Sequence, residues 1–230
     1  MFPPVDSADE FGVLCWGGEI SSATLTAAYQ SGIFPWPHRG MPTLWFAPPQ
    51  RAILKCDRLH VGSRLRRYLR RANFEIRFNT AFDEVIEACA QPRFVEGVWE
   101  RGSWINNSIK RAYKALHRDG HAHSIESWQN GELVGGLYGV NWGGYFAGES
   151  MFYRRDGASK AALIGLVEHL RERDVAWLDC EVMTPHFEQM GAREIPRDEF
   201  MQMLQTAISQ PTRLFDFPAS DEAAPLEFER

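Results

Sequence analysis

Two acids lie two residues apart in Leu178-Asp-Cys-Glu181, inside an apolar stretch (176–182) that reads as a β-strand. Residues i and i+2 of a strand share a face, so Asp179 and Glu181 are expected to act together, with Cys180 pointing away. Carboxylates so placed can accept protons from a reacting group. A buried, hydrogen-bonded strand-end acid is the other reading of Asp179. The cysteines Cys15, Cys56, Cys89 and Cys180 are scattered without a C-x-x-C pair, which argues against a disulfide framework or zinc cluster and makes Cys180 a buried thiol rather than a nucleophile. His117, His121 and His123 invite a metal reading. However, Gly120 ends a helix between the first two, and no acid or cysteine completes the set. Neither metal nor cofactor is expected, and His123 and Glu126 are read as orienting strand and cleft through hydrogen bonds.

A second kind of chemistry is electrostatic. Arg64, Arg66, Arg67, Arg70 and Arg71 fall close together with no acid among them, on a chain whose formal net charge is −5 and whose end carries Asp221, Glu222, Glu227 and Glu229. A local basic stripe on an acidic protein can hold a phosphate backbone, and a solvated helix face is the bland alternative. Arg154-Arg-Asp-Gly-Ala-Ser159 opens a helix, and a helix N-terminus binds anions.

The elements that must position these groups follow from period and punctuation. Ser21 or Ser22 caps a helix to Ser31 that Gly32 ends, after an irregular 1–20. Residues 32–37, Gly-Ile-Phe-Pro-Trp-Pro, form a stiff aromatic loop. Short strands are expected at 44–47 and 52–54, an arginine-rich helix from Ser63, and a strand at 74–78. Thr80 and Asp83 resemble a capping box before a helix to Ala90, and 91–103 reads as a loop. A helix at 107–119 precedes strands at 122–128, 132–140 and 145–153. Gln129-Asn130-Gly131 and Asn141-Trp142-Gly143-Gly144 are their hairpin turns. Ser159 caps a helix to about Arg173. Thr184-Pro185 opens a short helix that Gly191 closes, a strand is expected at 193–195, and 197–208 is the last helix.

With 230 residues, 44% hydrophobic and 24% charged, the chain has the composition of a soluble globular protein. No apolar run approaches the roughly 18–20 residues of a membrane span, and MFPPVDSADEFG lacks the regions of a secretory signal, so no membrane partner and a cytoplasmic location are expected. The element order resembles the GNAT-like acyltransferase fold, in which a sheet splays near its centre around an acyl donor. The expected class is α+β, with a small N-terminal α/β domain over 1–60 and a GNAT-like catalytic domain over 61–230.

Six segments carry a more specific resemblance: Tyr29-Gln-Ser-Gly-Ile-Phe-Pro-Trp36, Trp104-Ile105, Gly120-His-Ala-His-Ser-Ile-Glu126, Gly135-Gly-Leu-Tyr-Gly139, Gly148-Glu-Ser-Met-Phe152 and Leu178-Asp-Cys-Glu181. Together, in order and spacing, they resemble the leucyl/phenylalanyl-tRNA–protein transferases of the bacterial N-end rule pathway, over about residues 11–208. The resemblance implies transfer of Leu, Phe or Met from aminoacyl-tRNA to the N-terminal α-amine of proteins beginning with Arg or Lys, marking them for degradation, by a monomer. An aminoacyl ester is already activated, so orientation and preorganised dipoles suffice. The attacking α-amine, which in an unperturbed peptide titrates at roughly 7.7–8.0, benefits from a proton acceptor.

The same resemblance implies roles. Asp179 and Glu181 fall on a catalytic Asp-x-Gln, with glutamate where the family generally has glutamine; an ionised glutamate accepts hydrogen bonds but donates none. Glu149 falls on a donor-site acid whose partner is the α-ammonium of the carried amino acid or a ribose hydroxyl. Trp36 and Trp104 fall on tryptophans near the terminal adenosine, core packing being the alternative. Leu137, Met151, Leu163, Leu166, Leu170 and Leu178 fall on the apolar specificity pocket; Leu163, Leu166 and Leu170 share one helix face and also read as core. The arginines of 64–71 would meet the tRNA. Two rival readings are a CoA-dependent acyltransferase on the same fold, using 154–159, and an inactive degron- or RNA-binding homologue.

Overall fold

A computed structural model describes residues 1–38, 40–95, 98–100, 103–215 and 224–225, with backbone only at 93–95, 98–100 and 224–225. The acids of the C-terminal tail lie outside the described residues. The strands are β1 (Val13–Trp16), β2 (Phe34–Trp36), β3 (Leu44–Phe46), β4 (Gln50–Lys55), β5 (Glu75–Phe78), β6 (Arg93–Val95), β7 (Val98–Glu100), β8 (Ala122–Gln129), β9 (Glu132–Trp142), β10 (Tyr145–Tyr153), β11 (Trp177–Glu181), β12 (Arg193–Pro196) and β13 (Ala224–Pro225). The helices are α1 (Ser22–Gln30), α2 (Ser63–Ala72), α3 (Phe82–Cys89), α4 (Asn107–Arg118), α5 (Ala158–Arg171), α6 (Pro185–Gln189) and α7 (Arg197–Ile208). None of these helices is long and apolar enough to cross a membrane.

Helices and sheet mix in one chain, as an α+β reading requires. Eight strands form the main sheet in the order β12-β4-β11-β10-β9-β8-β5-β13, beside a small sheet β1-β3-β2 and the hairpin β6-β7. In the main sheet the β10–β11 pairing is parallel and the others are antiparallel. That parallel pairing holds through a single register pair, Ala147↔Asp179. Beyond it both strands break step with their outer neighbours, β10 between Gly148 and Ser150 and β11 between Asp179 and Glu181. A bulge bends its strand, and two bulges at one junction let β10 and β11 part.

Two apolar cores flank the sheet. One gathers Leu25, Tyr29, Ile109, Tyr113 and Phe200 from α1, α4 and α7. The other gathers Ile125, Phe146 and Leu178 under Leu163, Leu166 and Leu170 of α5. α5 approaches the sheet closely at two glycines. A Cβ on Gly135 would stand 2.5 Å from the Ala158 Cβ, and one on Gly165 would stand 2.8 Å from Ile76.

Local signals fix most elements. Ser21 accepts from the Thr24 N–H, Thr184 from the Phe187 N–H, and Asn130 and Gly131 take the positive φ values (53° and 79°) of a tight hairpin turn. Five expectations change. β1 appears inside the expected irregular segment. β2 replaces the aromatic loop: Pro35 pairs opposite Trp45 on a sheet edge, where its missing N–H costs nothing. β4, counted with the N-terminal part on the sequence, is a main-sheet strand between β11 and β12. Backbone pairing of Arg93 with Glu100 makes a hairpin within the expected loop. Finally, Gly157 at φ 76°, rather than Ser159, stands at the start of α5.

The start of α3 is likewise not capped by its own sequence. Ala81 holds the cap position without a side-chain bond. The fully buried Glu126 of β8 reaches over instead, accepting from the Ala81 N–H at 3.0 Å, the Thr80 hydroxyl and the Ser124 hydroxyl at 2.6 Å. Removing that carboxylate strands these donors, and the Trp128 indole N–H with them. Glu126→Ala should therefore lower the unfolding free energy in urea by about 2–4 kcal/mol, and a loss under about 0.5 kcal/mol would refute the pinning role.

Candidate active site

The parting of β10 and β11 opens a cavity of about 1320 Å³ through the sheet. Leu137, Met151, Leu163, Leu166 and Leu178 line its apolar side. Leu163, Leu166 and Leu178 are at most 1% exposed, so they are core and wall at once. Leu170 does not line the cavity. It shares their helix face but sits a turn deeper, wholly enclosed in the α5 core. Met183 and Phe187, which sequence reasoning did not single out, complete the wall from the segment after β11.

Asp179 and Glu181 part company. Glu181 has φ 61°, the left-handed region rare for a side chain larger than glycine's, and it sits on the far side of the β11 register shift. The alternation of faces fails there, so Glu181 and Cys180 line the cavity and Asp179 does not. Asp179 is fully buried beneath it. It takes a bidentate ion pair from Arg51 (Nε at 2.9 Å, Nη2 at 2.7 Å), the Tyr145 hydroxyl at 2.7 Å and the Glu181 N–H at 2.8 Å. Asp179 thereby holds the left-handed Glu181 backbone in place.

Arg51, absent from the expected site, is 1% exposed between the rings of Phe34 and Phe200, 4.6 and 4.5 Å from its guanidinium carbon. Burial by itself would lower its pKa; the Asp179 carboxylate outweighs that and the net direction is up, so the cation persists. Its one sequence signal is a charge at the head of the apolar run Ala52-Ile-Leu54.

Glu149 sits at the β10 bulge. Its Oε2 accepts from the Tyr113 hydroxyl at 2.9 Å, and Tyr113 in turn bonds Tyr29. Burial pushes the Glu149 carboxyl up to about 7 despite these hydrogen bonds. Burial, then the neighbouring Glu149, raises Glu181 well above the usual carboxylate range. The Cys180 thiol is raised too, by burial first, and is a neutral wall group rather than a nucleophile. Oε1 of Glu149, Oε1 of Glu181, Oγ of Ser150 and Nε2 of His186 are all buried in the cavity wall without a protein hydrogen-bond partner. Polar atoms left so are receptors for a ligand's own polar groups.

Trp36 and Trp104 are half-buried and both line the cavity. Trp36 packs edge-on against Phe46 at 5.5 Å and stacks on His38 at 5.8 Å. The arginine helix lies elsewhere, since none of its five arginines lines the cavity. Arg64, Arg67, Arg70 and Arg71 are exposed and Arg66 is half-buried. The helix packs through Tyr68 and Leu69 onto Gly157, which brings it beside the loop of Arg154 and Arg155. Arg154 itself donates to the Leu133 carbonyl at 2.9 Å and lies over the Phe152 ring. The three histidines point to separate partners: His117 to the Ala122 carbonyl, His121 to the Asn141 carbonyl and His123 to Asn79 Oδ1.

An apolar pocket next to unpartnered carboxyl oxygens suits a ligand carrying an ammonium beside an apolar side chain, and the rim tryptophans suit a flat ring. Comparison of sequences with known proteins points the same way. A family model described as leucyl/phenylalanyl-tRNA protein transferase matches residues 53–205, and a model of that protein's N-terminal domain matches 18–49. The leucyl/phenylalanyl-tRNA–protein transferase of Aromatoleum aromaticum is 50% identical over 86% of this chain and 83% of its own length. That of Desulfatibacillum aliphaticivorans is 45% identical over 92% and 89%. Among solved structures, L-PGS from Bacillus licheniformis aligns with TM-score 0.40 and 13% identity, over 71% of this chain and 51% of that one.

The Arg51–Asp179 pair has its own test. Breaking it from either side leaves a buried, uncompensated charge, so Arg51→Met and Asp179→Ala should each cost about 3–5 kcal/mol of unfolding free energy. The double variant should cost less than the sum by at least about 1 kcal/mol in the same denaturation series. Strict additivity would show that the two do not depend on one another.

Proposed function

This chain belongs to the leucyl/phenylalanyl-tRNA–protein transferase family, and from that premise we propose that the cleft between β10 and β11 is where a charged tRNA end meets a protein N-terminus. The protein is an aminoacyl-tRNA–protein transferase that moves Leu or Phe from the tRNA to the N-terminal amine of another protein. One observation carries the reading of the site. The cavity sets the vacant oxygens of Glu149 and Glu181 against an apolar wall of core leucines.

In this reading Leu137, Met151, Leu163, Leu166 and Leu178 enclose the side chain of the carried amino acid. Met, long and unbranched, is accepted with Leu and Phe. Glu149 pairs with the donor's α-ammonium, and Trp36 and Trp104 hold the terminal adenine. Glu181 faces the incoming amine as a catalytic residue, while Asp179 fixes Glu181 from below. The arginines of α2, with Arg154 and Arg155 beside them, hold the tRNA backbone electrostatically. The acidic cleft favours acceptors beginning with Arg or Lys, marked thereby for degradation. The parting strands fit a GNAT-like splay. The protein acts as a cytoplasmic monomer.

The chemistry needs no activation step. The amine attacks the ester carbonyl, a C–N bond forms, the C–O bond to the ribose breaks, and the ribose oxygen leaves as a hydroxyl. The protein supplies alignment of ester and amine and a proton acceptor beside them.

A transfer assay with charged tRNA-Leu, tRNA-Phe, tRNA-Met and tRNA-Ile against peptides differing only in the first residue tests this reading. Leu, Phe and Met should transfer to Arg and Lys peptides. A branch at the wrong carbon is worth about 1–3 kcal/mol in such a pocket, so Ile should run roughly 10–200-fold slower. Equal rates for Leu and Ile would remove the pocket assignment, and transfer from acyl-CoA instead of tRNA would overturn the donor. Trp36→Ala should weaken an aminoacyl-adenosine analogue by about 1–3 kcal/mol. Replacing Arg66, Arg67 and Arg70 with Ala should spare that analogue. It should also flatten the salt dependence of tRNA binding by up to about one unit of slope per lost phosphate contact, and an unchanged slope would return α2 to a solvated face.

A further inference from the structure

The charges of the cleft do not balance. Glu149 and Glu181 line it with Asp179 buried next to Glu181, and among the described residues the guanidinium acting on all three is that of Arg51. Asp179 already engages Arg51 through both oxygens. Glu149 and Glu181 stand on the two strands that part at Ala147↔Asp179, each with Oε1 buried and without a protein partner.

Groups from every neighbouring element enter that balance. Tyr29 of α1 and Tyr113 of α4 face Glu149, while Arg51 of β4 and Asp179 of β11 act on both glutamates. Tyr145 of β10 is spent on Asp179. His38, Cys180 and His186 line the cavity, and Lys160 of α5 acts on His186. Burial holds the three phenols and the thiol neutral, and it lowers the His186 pKa. Two buried carboxyls that line one cavity from adjoining strands, with the buried guanidinium already engaged by Asp179, give up their protons in two separated steps that belong to the pair.

We propose that Glu149 and Glu181 form a one-proton pair that the donor's α-ammonium discharges: without a donor the pair holds one proton, and the entering ammonium takes its place, leaving Glu181 ionised and ready to act as base. The inference rests on reading the cleft as the aminoacyl-ester site, and it sets an order of events. Donor binding sends the stored proton to solvent. The acceptor's ammonium then gives one proton to Glu181, its freed electron pair forms the C–N bond at the ester carbonyl, and the C–O bond to the ribose breaks. A second amine proton goes to the departing ribose oxygen, and the third stays on the new amide. Before the donor arrives Glu181 is blocked, so an amine entering first meets no base.

The test is titration calorimetry at neutral pH with phenylalanyl-3′-aminoadenosine, an amide that keeps the α-ammonium but cannot be transferred, in two buffers of different ionisation enthalpy. Wild type should release about one proton per ligand bound. Glu181→Gln and Glu149→Gln should each bind with less than half that release, and the N-acetylated ligand should release none. No release from wild type, or full release from both variants, would overturn the pair. Infrared spectroscopy of the ligand-free protein at neutral pH supplies a readout independent of the ligand. It should show a protonated carboxyl band that weakens in Glu181→Gln, and absence of the band in wild type would also overturn the pair. A protein that shows the band but fails to bind the adenosine ligand would keep its proton pair and lose the aminoacyl-ester reading, so the two failures are distinct.

Discussion

The ion pair between Arg51 and Asp179 is the constraint on which the cleft depends. It joins β4 to β11 at the level where β11 leaves β10. Tyr145 of β10 donates to the same carboxylate, so three adjacent strands meet at one buried charge. An ion pair out of water is tolerated only when its remaining lone pairs and protons are satisfied. Here the last of them is satisfied by the Glu181 N–H, and that bond fixes the left-handed turn which swings Glu181 into the cavity. Had the strand kept its alternation, Glu181 would lie with Asp179 beneath the floor, and the cavity would present Cys180 alone.

The second constraint is steric. A main sheet that loses one row of pairing must recover its cohesion elsewhere, and α5 supplies it from one side. Gly135 lets the start of that helix lie nearly in backbone contact with the sheet and Gly165 seats it on the Ile76 side chain, while Leu163 and Leu166 line the cavity from inside the core. A pocket whose walls are core residues is rigid, because each wall group is held by packing on its far side. That rigidity is what a site needs if it works by alignment rather than by covalent relay.

Charge is sorted by depth. Apart from the buried Arg51, the arginines of α2 and of the loop before α5 stand in water. Acids stand inside, where burial raises their pKa values and where an ammonium is the natural counter-ion. The net charge of −5 conceals this arrangement, since it sums exposed arginines and buried acids without regard to depth.

Much is legible in the chain alone. Some helix starts follow from neighbouring residues, and Ser21 and Thr184 cap where their types and positions say they should. The spaced motifs identify the family, and several of their groups line the cleft, because each motif is local and each group keeps its chemistry wherever it is placed. Other features wait for the tertiary structure. The partner of Asp179 lies 128 residues away, the cap of α3 comes from β8, and Phe34–Trp36 is a strand because β3 happens to lie beside it. The parting of Asp179 from Glu181 and the retreat of Leu170 into the core are likewise matters of register and depth. Period and composition fix which face a residue prefers. A bulge, a buried charge or a wall is decided by contacts between distant segments, and those exist only once the chain has folded.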